Sequence, residues 1–270
     1  MADLLALSRA EQHRAKRLYI LRALAHFATF AASLAAVFVP EPGPYLAAVA
    51  VVVTEGVALT LRMRGDAAHQ LAERGRRHAL IADALARSDA PDRASLLLCF
   101  GSYAKQHAGE YSDSAYWHSD ESPGPQRLRD HVQESAFWSA DLYWRAGLAA
   151  LGFLLVPIVA ATVGVFVILG LDEGQVAVTA ARIFTVLALL LIGLDLLTRA
   201  LAWLSAARAT KEVVSAFDRP TTDQLTGALS VYADYSVATA TAPPIPEWVY
   251  KSRKDSLETA WRSRRGLADR

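Results

Sequence analysis

"AGLAALGFLLVPIVAATVGVFVILGL", residues 146–171, contains no charged side chain. A helix rises 1.5 Å per residue and the hydrocarbon core of a bilayer is about 30 Å thick, so about 20 apolar residues in a row predict a membrane span. Reading outward from this stretch finds three more apolar runs, at about residues 18–39, 45–61 and 176–204. "PEPGP" at 40–44 joins the first two, its prolines ending one helix and starting the next. "DEGQ" at 172–175 joins the other two. Each short connection predicts a helical hairpin. The second hairpin has the cleaner sequence, because the first is interrupted by Arg22, His26 and Glu55.

Composition agrees with a partitioned chain. Of 270 residues 53% are hydrophobic and mean hydropathy is +0.20, yet 28 basic and 27 acidic side chains remain, so polarity must be concentrated in segments outside the spans. A net charge of +1 supplies no basic face of the kind a nucleic-acid binder needs, and no nucleic-acid partner is expected. The single cysteine, Cys99 in "SLLLCFGSY", excludes an internal disulfide and reads as a small buried hydrophobe.

Lys and Arg set the orientation, since cytoplasmic segments near spans hold their excess. Five precede Ala23, eleven lie from Arg62 to Arg145, two fall within the fourth span, ten follow Leu204, and neither hairpin loop holds any. Both termini and the long insert are therefore expected in the cytoplasm, with the acidic hairpin tips outside. The charged start "MADLLALSRAEQHRAKRLY" reads as an amphipathic helix, not as a cleavable signal peptide. The chain divides into residues 1–61 (N-terminal helix and first hairpin), 62–145 (cytoplasmic helical insert), 146–204 (second hairpin) and 205–270 (cytoplasmic C-terminal helices). The fold class expected is all-α: an integral membrane protein with four transmembrane helices in two hairpins and a cytoplasmic helical bundle.

Ahead of the third span, "SPGPQRLRDHVQESAFWSADLYWRAG" starts a helix near Pro125. Leu128, Val132 and Ala136 recur every four residues on one face, and Trp138, Tyr143 and Trp144 fall where an aromatic belt would sit. Tyr116, Trp117 and Arg127 mark either an ordinary loop and helix start or a regulatory, partner-binding surface. After "TAPPIP", a C-terminal helix carries Trp248, Tyr250, Leu257 and Trp261 and is expected to dock on the bundle, the alternative being to lie on the membrane surface; Trp248 and Tyr250 are further partner-binding candidates. The two halves share a layout in one orientation, without the inverted repeat and broken helices of many secondary transporters.

Motifs for nucleotide, zinc or disulfide chemistry are missing from the sequence, and the histidines at 13, 26, 69, 78, 107, 118 and 131 have no metal-ligand spacing. No cofactor, metal or enzyme activity is expected. The informative polar groups lie inside the spans, where a charge costs about 2.5–3.5 kcal/mol on insertion scales and so faces a bundle interior, a partner or water. Glu55, ten residues from Tyr45, sits about 15 Å deep. It is either hydrogen-bonded within the bundle or pore-lining. Asp195 and Arg199 are spaced to pair on the fourth span, Arg182 can snorkel from its outer end, and His26 lies on the inner half of the first span.

The charged helix "SRAEQHRAKRLYILRAL", the two hairpins, the "YW…PGPxRL…QESAFW" stretch from Tyr116 to Trp138 and the closing "IPEWVYKSRKDSLE" together resemble bacterial pore-forming effectors of the four-span S-4TM type, akin in style to SLATT effectors. The resemblance implies a membrane-disrupting effector of a prokaryotic conflict or antiphage system in the inner membrane. It would act as a homo-oligomer in the lipid bilayer, triggered by a regulatory protein or a cyclic-nucleotide-type signal. It brings no catalytic residues. The rival expectations are a small ion channel or transporter and a membrane scaffold that recruits a soluble partner.

Overall fold

The computed structural model describes residues 3–40, 42–86, 92–112, 116–169, 187, 195–217 and 224–265. Among these residues the chain is helical throughout, with no strand. Helix α1 spans Leu4–Phe38, α2 Gly43–Leu85, α3 Asp92–Cys99, α4 Ser102–His107, α5 Pro125–Leu169, α6 Leu196–Ala216, α7 Gln224–Ala240 and α8 Glu247–Arg264. A 3-10 turn over Ala108–Tyr111 follows α4.

Among the described residues, two helices are long and apolar enough to cross a membrane, α1 over Leu4–Ala36 and α2 over Tyr45–Leu85. Their most apolar windows are only 11% and 6% buried, unlike the core helix of a water-soluble domain. The turn between α1 and α2 follows from its prolines: Gly43 N donates to Pro40 O at 2.9 Å and Tyr45 N to Pro42 O at 3.1 Å. The third apolar run continues α5 without a break to Leu169. Most of the fourth, with its loop at 172–175, lies outside the described residues.

The contacts divide the chain into two compact units. One, here the polar unit, takes residues 1–16, 66–147 and 201–270; the other, the apolar unit, takes 17–65 and 148–200. Residues 1–16, which the sequence groups with the first hairpin, thus belong with the polar segments.

The polar unit is built around two apolar clusters. In one, Leu80 and Ala84 of α2 meet Leu128, Val132 and Ala136 of α5, Val213 of α6, and Ala228, Val231 and Tyr235 of α7. The four-residue spacing on α5 produces the expected face, and all three of its residues are fully buried. In the other cluster, Leu4, Leu5, Leu7 and Ala10 of α1 pack with Ala79, Leu96, Phe100 and Ala104. Here α1 and α2 approach closely. A Cβ added at Gly75 would stand 2.9 Å from the Phe100 ring and 3.1 Å from Ser8 Cβ, so only glycine fits without a shift. Helix α8 docks through Val249, Leu257 and Trp261, all buried, with Trp261 5.5 Å from the Phe137 ring.

Local backbone chemistry sets the helix ends. Pro125 opens α5 at the position where a missing N–H costs nothing, and Gly124 N ties the preceding turn to Ala84 O at 2.8 Å. Helix α2 closes on Ala86 at φ 50°, a left-handed position usually given to glycine. Cys99 departs from its expected burial: it is exposed, its thiol 3.4 Å from Ser95 O. The short α3 buries Leu96, with Phe100 buried just past its end, and leaves Leu98 and Cys99 facing outward.

The apolar unit is organised the other way. Ile20, Leu24, Val49, Val52 and Val53 are exposed on its outside, while its polar side chains meet between the helices. Such an inside-out arrangement suits a solvent as apolar as leucine, where interhelical polar contacts hold helices together.

Candidate functional site

The polar contacts of the apolar unit join α1 to α2. Thr29 Oγ1 and Thr54 Oγ1 are 2.7 Å apart, and each hydroxyl also reaches a carbonyl one turn back, Ala25 O and Ala50 O. One residue on, His26 Nδ1 lies 3.1 Å from Glu55 Oε1. The imidazole is buried, but 46% of the Glu55 side chain is exposed. His26 Nε2 is also buried and has no hydrogen-bond partner among the described residues. Hairpin geometry thus brings together two of the residues expected inside the spans, and it adds two threonines whose contribution the sequence reading missed.

Asp195 and Arg199 are joined through the backbone. Asp195 stands before α6 at φ 54°, and its carbonyl accepts from Arg199 N at 3.1 Å. The Arg199 guanidinium lies over the Tyr19 ring, 4.7 Å from its centre, a cation–π contact that shelters charge beside α1. Arg182 lies outside the described residues.

In the polar unit, Arg127 and His131 converge on one carboxylate. Arg127 Nη2 donates to Asp83 Oδ2 at 2.8 Å, and His131 Nε2 reaches the same oxygen at 2.7 Å. His131 is almost wholly buried, and Trp117 stacks on its ring at 5.1 Å. Burial lowers the His131 pKa more than the Asp83 hydrogen bond raises it, so the ring titrates below the ordinary histidine value. Burial raises Asp83, but hydrogen bonds from His131 and Arg127 outweigh it and leave the carboxyl below its usual range. Tyr116 meets the Trp117 ring edge-on at 4.8 Å, with the Arg9 guanidinium 5.4 Å from the Tyr116 ring. Trp117 also donates from Nε1 to Ser135 Oγ at 3.3 Å. Tyr116 and Trp117 therefore pack against the clusters of the unit.

Next to this group, a latch holds the end of α8. Arg265 donates to His118 O and to Asp130 Oδ2, both at 2.8 Å, while Ser119 Oγ donates to the same Asp130 oxygen at 2.7 Å. Glu134 receives His118 N at 2.9 Å and sits 2.8 Å from His118 Nδ1. At the other end of α8, Lys16 pairs with Glu247 at 2.6 Å. Of the candidates on α8, Tyr250 lies against Trp138 with ring centres 6.3 Å apart, whereas Trp248 is 53% exposed. These pairings span more than a hundred residues in several cases, and no local spacing could have signalled them.

Deeper in, Glu73 and Arg76 form a buried pair at 2.8 Å, and Arg76 lies over the Tyr235 ring at 5.5 Å. Burial raises the Glu73 carboxyl, but Arg76 more than offsets it and the pKa falls below the ordinary value. The arrangement is structural ion pairing; among the described residues no group of His, Cys, Asp and Glu is placed to hold a metal. Compared as a whole with known proteins, the chain matches no family model, no curated protein and no solved structure.

Proposed function

We propose that the chain is a four-span bacterial inner-membrane protein, both termini cytoplasmic, that acts as an oligomeric pore-forming or membrane-perturbing effector. The observation that carries this reading is Glu55, whose side chain is 46% exposed on a helix with an apolar window only 6% buried. Near the middle of a bilayer its oxygens need water or polar partners beyond His26, since burying them unpaired is expensive. Copies arranged so that Glu55 and His26 face a shared axis would supply both. The helical polar unit would receive the trigger, a regulatory protein or a nucleotide-type signal.

The test is membrane depolarisation and dye leakage in bacteria on induced expression, comparing wild type with Glu55→Ala. Rapid depolarisation abolished by the substitution supports a pore at this position; depolarisation that Glu55→Ala leaves unchanged removes Glu55 from the mechanism. A channel or transporter with a routine substrate would leave cells healthy on overexpression. A scaffold, favoured only by the exposed Trp248, would conduct nothing and copurify with a soluble partner.

A further inference from the structure

Within the polar unit, α5, α6 and the end of α8 line an open groove of about 480 Å³. Phe137, Ala140 and Trp144 line it from α5, at spacings that put all three on one face. Ala207 and Val214 line it from α6. Three cations stand at its walls: Arg208, Lys211 and, from the end of α8, Arg264.

The charge at this groove is unbalanced. Its single carboxylate, Asp141, is already engaged, receiving Arg253 Nε at 3.0 Å and Arg145 Nε at 3.4 Å. Arg208 and Lys211 are exposed and have no carboxylate partner among the described residues. Arg264 rests over the Phe137 ring, its guanidinium carbon 5.9 Å from the centre. An apolar trough with free cations at its walls complements a molecule that has an apolar body and an anionic head.

The placement of the trough along the chain narrows the class. Trp144 is four residues before Leu148, where the polar unit gives way to the apolar run of α5, and it is 46% exposed. Arg208 and Lys211 follow the corresponding change at Ala200 by two to three helical turns. Tryptophan belongs at the headgroup level, and basic pockets between helices just cytoplasmic of a bilayer bind anionic headgroups.

We propose that this groove binds one anionic phospholipid, with its phosphate on Arg208, Lys211 and Arg264 and the start of an acyl chain against Trp144 and Phe137. The inference rests on the membrane reading for the source of the lipid and is independent of pore formation.

The test uses the full chain in a neutral detergent, titrated with dioctanoyl phosphatidylglycerol and, in parallel, dioctanoyl phosphatidylcholine, with bound lipid counted by native mass spectrometry. The expected result is one phosphatidylglycerol retained, at least tenfold tighter than phosphatidylcholine. Arg208→Gln with Lys211→Gln should weaken it about tenfold or more, as loss of charge-assisted contacts does. Both side chains are exposed, so the doubly substituted protein should keep its melting midpoint. Trp144→Ala, which leaves the charges in place, should weaken the lipid but not inorganic phosphate. Equal binding of the two lipids, or unchanged binding by the double substitution, overturns the proposal. Inorganic phosphate that displaces the lipid at equal concentration would assign the site to a free phosphate and overturn the lipid as occupant. Dye leakage from vesicles, measured separately, reports on the pore, so either reading can fail alone.

Discussion

The polar and apolar units use the same secondary structure and opposite chemistry. In the polar unit leucines and alanines fill the inside, as around Leu80, Leu128 and Val132, and charged pairs ring them. In the apolar unit the valines and leucines of α2 point outward, and the threonines, His26 and Glu55 hold the helices from within. Helix period alone does not distinguish the two; what differs is which stripe of each helix meets its neighbour. The two units therefore put opposite chemistry on their outer faces, and each should respond to substitution according to its own.

The largest expected contrast is between two leucines. Leu128→Ala removes a fully buried side chain and should cost about 2–5 kcal/mol in denaturant unfolding of the detergent-solubilised protein. Leu46→Ala, on the exposed face of α2, should stay within about 0.5 kcal/mol. Equal costs would mean that α2 packs as in a water-soluble core.

A charge sharpens the same comparison. Val52→Lys, on the exposed face of α2, should disfavour membrane insertion by about 2.5–3.5 kcal/mol, read as the inserted fraction in a translocation assay. Full insertion of this protein would argue that the exposed valines face water.

The polar unit should also respond to acid. His131 and Asp83 both bind protons less readily folded than unfolded, so each contributes stability that is complete above its unfolded pKa and lost as pH falls. Thermal stability should decline first below about pH 6.5 as His131 titrates, and again below about pH 4 as Asp83 does. His131→Asn should flatten the first step; an unaltered profile would show that the imidazole does not control it.

Smaller effects belong to single contacts. Replacing Thr29 and Thr54 together by valine should cost about 1 kcal/mol, in the range of interhelical hydrogen bonds measured in membranes, and no loss would mean that helix packing alone holds the hairpin. Ala86→Gly should stabilise by about 0.5–1 kcal/mol, because the residue stands at φ 50° at the end of α2. A fall in melting midpoint would show that the methyl group packs usefully there.

What could be read from the sequence was what repeats locally. The stripe through Leu128, Val132 and Ala136, the start of α5 at Pro125, the tight turn at "PEPGP" and the docking of the C-terminal helix all follow from spacings within a few residues. Local reasoning also misplaced one residue and missed distant partners. Cys99 was given burial by its apolar neighbours, although the short α3 buries Leu96 and leaves Cys99 exposed. The approach of the Arg199 guanidinium to Tyr19, from a helix far away in the chain, has no sign in the local sequence. His131 gave no local sign of Asp83, and Asp130 none of Arg265, because those partners come from other helices.

The polar unit is assembled from three pieces of chain, residues 1–16, 66–147 and 201–270, with the apolar stretches between them. A ribosome makes these pieces in order. When residue 200 has emerged, α1 and α2 can already meet through Ser8 and Gly75, but Val213, Tyr235 and Trp261 have yet to be made. Until they arrive, the Leu128 face of α5 lacks two of the three helices that cover it, α6 and α7. The apolar stretches are thus made before the polar unit can close, and Arg265, far along the chain from His118 and Asp130, helps to fasten that closure.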